Sequence, residues 1–145
     1  MRNLTENSIK KMVNAWYKKL DIHAPMVEIL PMLSNEDSLH MVFPEVSING
    51  LAAFESWYQS VIRIFFYESH KVKEIKSKIN GNEAEIKIVV EWKASRWKPP
   101  AGYSDRIKLD AYQTWHVKWS FKTNSPVIIK YIVDELKYHE GSSRL

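Results

Sequence analysis

Tyr17 and Asp21 stand four residues apart, at the end of a stretch whose apolar residues recur every three or four positions. On a helix that spacing puts a phenol and a carboxylate on one face. The phenol could donate a hydrogen bond to a developing enolate, and the carboxylate could hold an imidazole in one tautomer. Asp21 has a second reading, as a cap for a helix starting near Pro25. The histidines are His23, His40, His70, His116 and His139, and none stands in His-x-x-x-His or His-x-His spacing beside a supporting carboxylate. A metal site is therefore not expected. The absence of cysteine removes thiolate and disulfide chemistry, and leaves the redox compartment open. The four glycines build no phosphate loop, and no Gly-x-Ser-x-Gly motif occurs, so nucleotide cofactors and covalent acyl chemistry are disfavoured.

Composition narrows the field further. A chain of 145 residues fits one domain spanning 1–145, with residues 1–8 and 139–145 expected to fray. Hydrophobic residues make up 45% and charged residues 26%, as in ordinary globular proteins, but six tryptophans and seven tyrosines are many for this length. Such rings go into cores, pockets and interfaces. The net charge of +4 raises the question of nucleic acid, yet Lys71, Lys73, Lys76 and Lys78 are interleaved with Glu68, Glu74 and Ile75. That pattern reads as the solvated face of a strand, so neither nucleic acid nor membrane is an expected partner. No leader or run of about 20 apolar residues is visible, which makes the cytoplasm the expected location.

The elements that must position these groups follow from periodicity. Thr5 can cap a helix carrying Ile9, Met12, Val13, Trp16, Tyr17 and Leu20 on one stripe. The spacing predicts a second helix over 25–33, a turn over 34–37, and a short edge or entry strand over 39–43 ended by Pro44. The longest helix is expected over 51–66, well buried through Phe54, Trp57, Tyr58, Val61, Ile62, Phe65 and Phe66. Alternation over 67–79 leads to Asn80-Gly81-Asn82, a hairpin signal because both Asn and Gly tolerate positive φ. Two long segments over 83–121 then fold back on each other around Lys98-Pro99-Pro100-Ala101-Gly102. They exceed the usual length of about five or six residues, so a bent, bulged hairpin is expected. A last strand covers 127–138. Helices placed before a run of antiparallel strands predict an α+β fold, with three N-terminal helices packed on one face of a strongly bent, mostly antiparallel sheet.

That order, with 16–33 followed by Leu39-His40-Met41-Val42-Phe43-Pro44 and with Asn49-Gly50 opening a long helix, resembles the nuclear transport factor 2-like superfamily. Its members include SnoaL-like polyketide cyclases, scytalone dehydratase and the ketosteroid isomerases. The resemblance covers about 9–135 and implies a cone-shaped α+β barrel with a pocket, often a homodimer through the outer sheet face. Leu20-Asp21 resembles the Tyr-Asp pair of scytalone dehydratase, with Leu20 lacking the phenol, and His70 resembles its pocket histidine. Leu109-Asp110-Ala111-Tyr112 resembles the oxyanion-binding segment of the isomerases. The isomerase base would fall near Met41, a departure that disfavours the same proton transfer.

The resemblance thus implies Asp21 and His70 as catalytic residues, with Tyr17, Trp16, Met41, Trp57, Trp92, Asp110 and Tyr112 binding substrate. It implies a cofactor-independent lyase or isomerase, of dehydratase or cyclase type, acting on a hydrophobic or polyketide-like compound. The alternative is a non-catalytic module of the same fold that binds a small ligand or another protein. An enzyme needs Asp21 and His70 in contact at the cavity wall, whereas a binder does not. His70 could also be a surface strand residue. Asp110 and Tyr112 carry a conflict, since polarity sends Ile107, Leu109, Ala111, Trp115 and Val117 inward and the resemblance turns that face outward. Trp92, Trp97, Tyr103 and Arg96 could stack on an aromatic ligand or simply pack.

Overall fold

The structure, a computed structural model, describes residues 4–35 and 38–145. Of the turn expected over 34–37, Glu36 and Asp37 lie outside the described residues, as do Met1–Asn3.

Helix α1 spans Glu6–Asp21. Its start is a reciprocal cap: Thr5 Oγ1 accepts from the Ser8 N–H and Ser8 Oγ accepts from the Thr5 N–H, each at 3.0 Å. Ile9, Met12, Val13, Trp16 and Tyr17 form its buried stripe. The helix expected over 25–33 is shorter, with α2 at Met26–Ile29 and a 3₁₀ turn at Leu30–Met32. Pro31 explains the break, because it lacks the N–H for the α ladder and its ring crowds the carbonyl one turn back.

The sheet holds six strands: β1 (His40–Val42), β2 (Ser47–Asn49), β3 (Phe65–Asn80), β4 (Glu83–Arg96), β5 (Asp105–Ser120) and β6 (Ser125–Tyr138). Their order is β2-β1-β6-β5-β4-β3, antiparallel except where β1 lies parallel to β6. β2 is an addition to the sequence reading, since three residues are too few to show a period. α3 runs Gly50–Ile64, so Phe65 and Phe66 open β3 instead of ending the helix. It is also less buried than its wide apolar face implied, with only Phe54 and Tyr58 in the core. The rest of that face looks into a cavity.

The bends come from register shifts in the β3–β4 pairing, between Phe66 and Ser69 and between Val72 and Glu74. Two more fall on β5 against β6, at Tyr112/Gln113 and His116/Val117. These bulges curve long strands that would otherwise lie as a flat ribbon. The sheet stays open, and α1 and α3 lie across its concave side. Ala84, Ile86, Ile88 and Val90 of β4 pair with Val117, Trp115, Gln113 and Ala111 of β5, and all face inward. Polarity therefore decides the conflict over β5. The apolar alternates that an outer-face dimer was expected to use are the lining of the concave face.

Trp16, Phe54, Trp115 and Tyr131 make the centre of the core, with ring centroids 5.0–6.0 Å apart along their contacts. Among the described residues of the segments expected to fray, 4–8 and 139–145, several are held in place. Leu4 is buried, and the C-terminal segment continues past β6: His139 N–H donates to Lys108 O at 2.9 Å and Ser143 N–H to Arg106 O at 3.0 Å. No helix among the described residues is long and apolar enough to cross a membrane.

The period of two in β4 has a direct test. Ile86→Ala opens a cavity in the concave-face core and is expected to cost about 2–5 kcal/mol in urea unfolding. Lys87→Ala, one residue along and on the other face, is expected to cost under about 1 kcal/mol. Equal losses would mean that the two faces are not distinguished by burial.

Candidate active site

Asp21 is the last residue of α1, and it reaches β3 with both oxygens. Oδ1 lies 2.6 Å from His70 Nδ1, and Oδ2 accepts the His70 backbone N–H at 3.1 Å. It does not cap the next helix, whose N-cap is Pro25 with no side-chain hydrogen bond. Since a carboxylate only accepts, Nδ1 carries the hydrogen in that contact, and Nε2 of the neutral ring is left as an acceptor. Nε2 has no partner among the described residues, and His70 lines the cavity with its side chain 9% exposed. Its plane is fixed as well as its tautomer. Tyr17 stacks on the imidazole at 4.9 Å and 23°, and Trp92 lies at 6.2 Å and 27°.

The cavity is about 680 Å³, a size that suits a small organic molecule. Val90, Leu109 and Ala111 of the concave face form its floor, Trp57 and Val61 of α3 one side, and Gln113 and Tyr131 its inner end. Gln113 Oε1 accepts two hydrogen bonds, from Tyr17 Oη at 2.8 Å and Trp115 Nε1 at 2.9 Å. An indole N–H can only donate, so the amide orientation is fixed by Trp115. The Gln113 NH₂ is then the donor end, with the Tyr131 hydroxyl as its hydrogen-bonding neighbour. Tyr17 therefore does not present its hydroxyl to the cavity as expected. Burial, and next the neighbouring Tyr131, push its phenol well above the usual range, against the smaller opposing pull of the Gln113 bond. It stays a protonated donor that holds Gln113.

A second acid and imidazole sit close by. Glu68 is buried at the cavity wall, pairs with His23 Nε2 and accepts from Trp92 Nε1 at 3.1 Å. The sequence reading missed Glu68, His23 and Gln113 as site residues. Glu68 and His70 share one face of an alternating strand, and His23 follows Asp21 by two, so a local signal existed for the first two. Gln113 offered only a polar residue in an apolar alternation, which is the pattern of a buried amide with a job for each end.

Of the expected binding residues, Trp57 and Trp92 line the cavity. Trp57 stacks on Phe43 at 3.7 Å and donates Nε1–H to Glu45 at 2.8 Å. Trp16 and Met41 are core residues, each 1% exposed, and are not part of the lining. Asp110 and Tyr112 are corrected outright: they lie on the outer face, because Leu109, Ala111 and Gln113 take the inner one. There Lys73 Nζ bonds Asp110 Oδ2 at 2.9 Å, His139 Nε2 lies 2.8 Å from Oδ1, and Lys137 sits over the Tyr112 ring. Glu91, Asp110 and His139 bring their ligand-type atoms within 4.8 Å of one another, a cluster made by strand pairing with no sequence motif, and each carboxylate already has a lysine, Lys93 for Glu91 and Lys73 for Asp110.

No family model matches the sequence, and no curated protein matches it either. Solved structures do resemble the fold. A nuclear transport factor 2-like superfamily protein from Salmonella enterica serovar Typhimurium LT2 aligns with a TM-score of 0.69 at 16% identity, over 95% of this chain and 91% of that one. A type 2 hexachlorocyclohexane dehydrochlorinase aligns at 0.74 and 8% identity, over 96% and 91%. A cystatin-like protein of unknown function from Nostoc punctiforme PCC 73102 aligns at 0.70 and 11%, over 99% and 100%. The chain has the nuclear transport factor 2-like α+β cone fold.

Asp110 supplies a pH dependence that separates the outer face from the cavity. Burial alone would raise its carboxyl, but the bonds from Lys73 and His139 together outweigh that and hold it below the usual value of 3.8. A depressed carboxyl stabilises the fold above about pH 4, and that contribution is lost as pH falls through the native value. Asp110→Asn is expected to lower the urea midpoint at neutral pH and to show a smaller drop on acidification below about pH 4 than the parent. An unchanged acid profile would remove Asp110 from the outer-face network.

Proposed function

We propose that the protein is a cofactor-independent lyase or isomerase that removes a proton next to a carbonyl of a hydrophobic, polyketide-like compound. The observation that carries this reading is the Asp21–His70 contact at 2.6 Å, with Nε2 unpartnered at the wall of an apolar cavity. The two groups touch, as an enzyme requires and a binding module does not. The dehydrochlorinase that shares the fold is by its name an eliminating enzyme, which agrees with the reaction class.

In this mechanism His70 Nε2 takes the proton from the α-carbon, and the C–H electron pair moves onto the carbonyl oxygen. Asp21 stabilises the imidazolium across the Nδ1 hydrogen bond and holds the ring in place. The Gln113 NH₂, one hydrogen toward Tyr131, donates its other hydrogen to the enolate oxygen, and its position is set in advance by Tyr17 and Trp115. From the enolate, collapse can expel a β-substituent, with His70 returning its proton to a leaving hydroxyl. Reprotonation at the γ-carbon of a conjugated enolate would instead give an isomer.

Proton removal can be measured without knowing the product. With β-tetralone in D₂O, the protein is expected to speed loss of the α-proton signal in NMR beyond the buffer rate. His70→Gln should slow that exchange about 10²–10⁴-fold. Gln113→Glu keeps the acceptor for Tyr17 and Trp115 but loses the donor, and should slow it about 10²-fold or more with the fold intact. Binding of β-tetralone with no exchange above buffer would leave the binding-module reading in place of this one.

A further inference from the structure

Two acid–imidazole contacts join the end of α1 to β3. Asp21 holds His70, and two residues further along the chain His23 holds Glu68, with acid and imidazole exchanged between the two elements. Glu68 accepts the His23 Nε2 hydrogen on Oε2, and on Oε1 the Trp92 Nε1 hydrogen at 3.1 Å. Its side chain is only 4% exposed, so the carboxylate acts on these two protein partners and not on a ligand.

The backbone is strained where it makes this contact. Among the described residues three other than glycine have positive φ, and two of them flank it, His23 at 52° and Tyr67 at 49°. Tyr67 and Glu68 fall within the register shift between Phe66 and Ser69 of β3, and the Arg106 guanidinium donates to the Tyr67 carbonyl at 2.8 Å. Such conformations persist only where the surroundings impose them, and they gather at working sites. Stability alone does not call for a buried acid here, since well-packed apolar side chains often serve as well as a buried ion pair.

What Glu68 holds is the indole beside the base. Trp92 lies against His70 at 6.2 Å and 27°, and Tyr17 stacks on the same ring at 4.9 Å and 23°. An indole has one polar atom, so a hydrogen bond at Nε1 fixes how the ring is turned. We propose that Glu68, anchored by His23, is a positioning residue of the proton-transfer step, which keeps Trp92 against the His70 ring and Nε2 aimed at the α-carbon. This rests on the reading of His70 as the base.

The test is the rate of β-tetralone exchange in D₂O as a function of its concentration. Glu68→Met keeps the length of the side chain without an acceptor, and is expected to lower kcat about 10–10²-fold with KM little changed. Glu68→Gln restores an oxygen for the Trp92 N–H and should recover most of that loss. Trp92→Phe removes the same bond from the other side, leaves the His23–Glu68 contact in place, and should lower kcat to a similar extent. It also serves should Glu68→Met fail to fold. Adding Glu68→Met to Trp92→Phe should then cost no more than about a further twofold in kcat, because the two changes break one interaction. Full additivity of the pair, a loss confined to KM, or a Glu68→Gln as slow as Glu68→Met would overturn the proposal while leaving His70 as the base. A wild type that exchanges no faster than buffer would overturn the catalytic reading, and this role with it.

Discussion

An aspartate at the C-terminal end of a helix is in an unfavourable place, since the exposed carbonyls there repel negative charge. Asp21 occupies that place, and Lys18 and Lys19 in the same last turn offset part of the repulsion. What holds it is His70, which gives it both the Nδ1 hydrogen and the backbone N–H. The contact ties the end of α1 to β3, and it leaves one imidazole nitrogen aimed at the chemistry. Helix, strand and candidate base are joined in one interaction. A side chain chosen for helix stability alone would not be acidic there.

The bent sheet makes this contact useful. Long strands curved by bulges turn their apolar alternates to the inside, and the chain does not fill the space they enclose. Two polar groups then have hydrogen-bonding capacity to spare at the wall: His70 Nε2 and the second hydrogen of the Gln113 NH₂. Each is fixed from behind, by Asp21 and by Tyr17 with Trp115. Polar groups held in this way need little reorganisation when charge develops, which is how a preorganised site lowers a barrier. The outer face is built differently. Its charges satisfy one another, as Lys73, Asp110 and His139 do.

The sequence was most informative where period and cap agree. The stripe of α1, the Asn-Gly turn and the alternation of β4 each state their structure locally, and the element order is enough to suggest the cone fold. Strand β5 was harder, because both of its faces carry large side chains. Polarity alone pointed to the correct face there, and the likeness to isomerases pointed to the wrong one for Asp110 and Tyr112. The Asp21–His70 pair bridges 49 residues of chain and was legible only through resemblance. Gln113 takes its role from long-range partners, Tyr17 among them, so no spacing rule could mark it. Pro31 shows the reverse case, a local rule strong enough to shorten an expected helix.

The most direct test of this account is the tautomer of His70, read from the two ring ¹⁵N resonances at mildly alkaline pH. The account predicts hydrogen on Nδ1 and an unprotonated Nε2 in the wild type, with that bias lost in Asp21→Asn. Hydrogen on Nε2 in the wild type would contradict it, because the ring would then have no lone pair to offer the cavity.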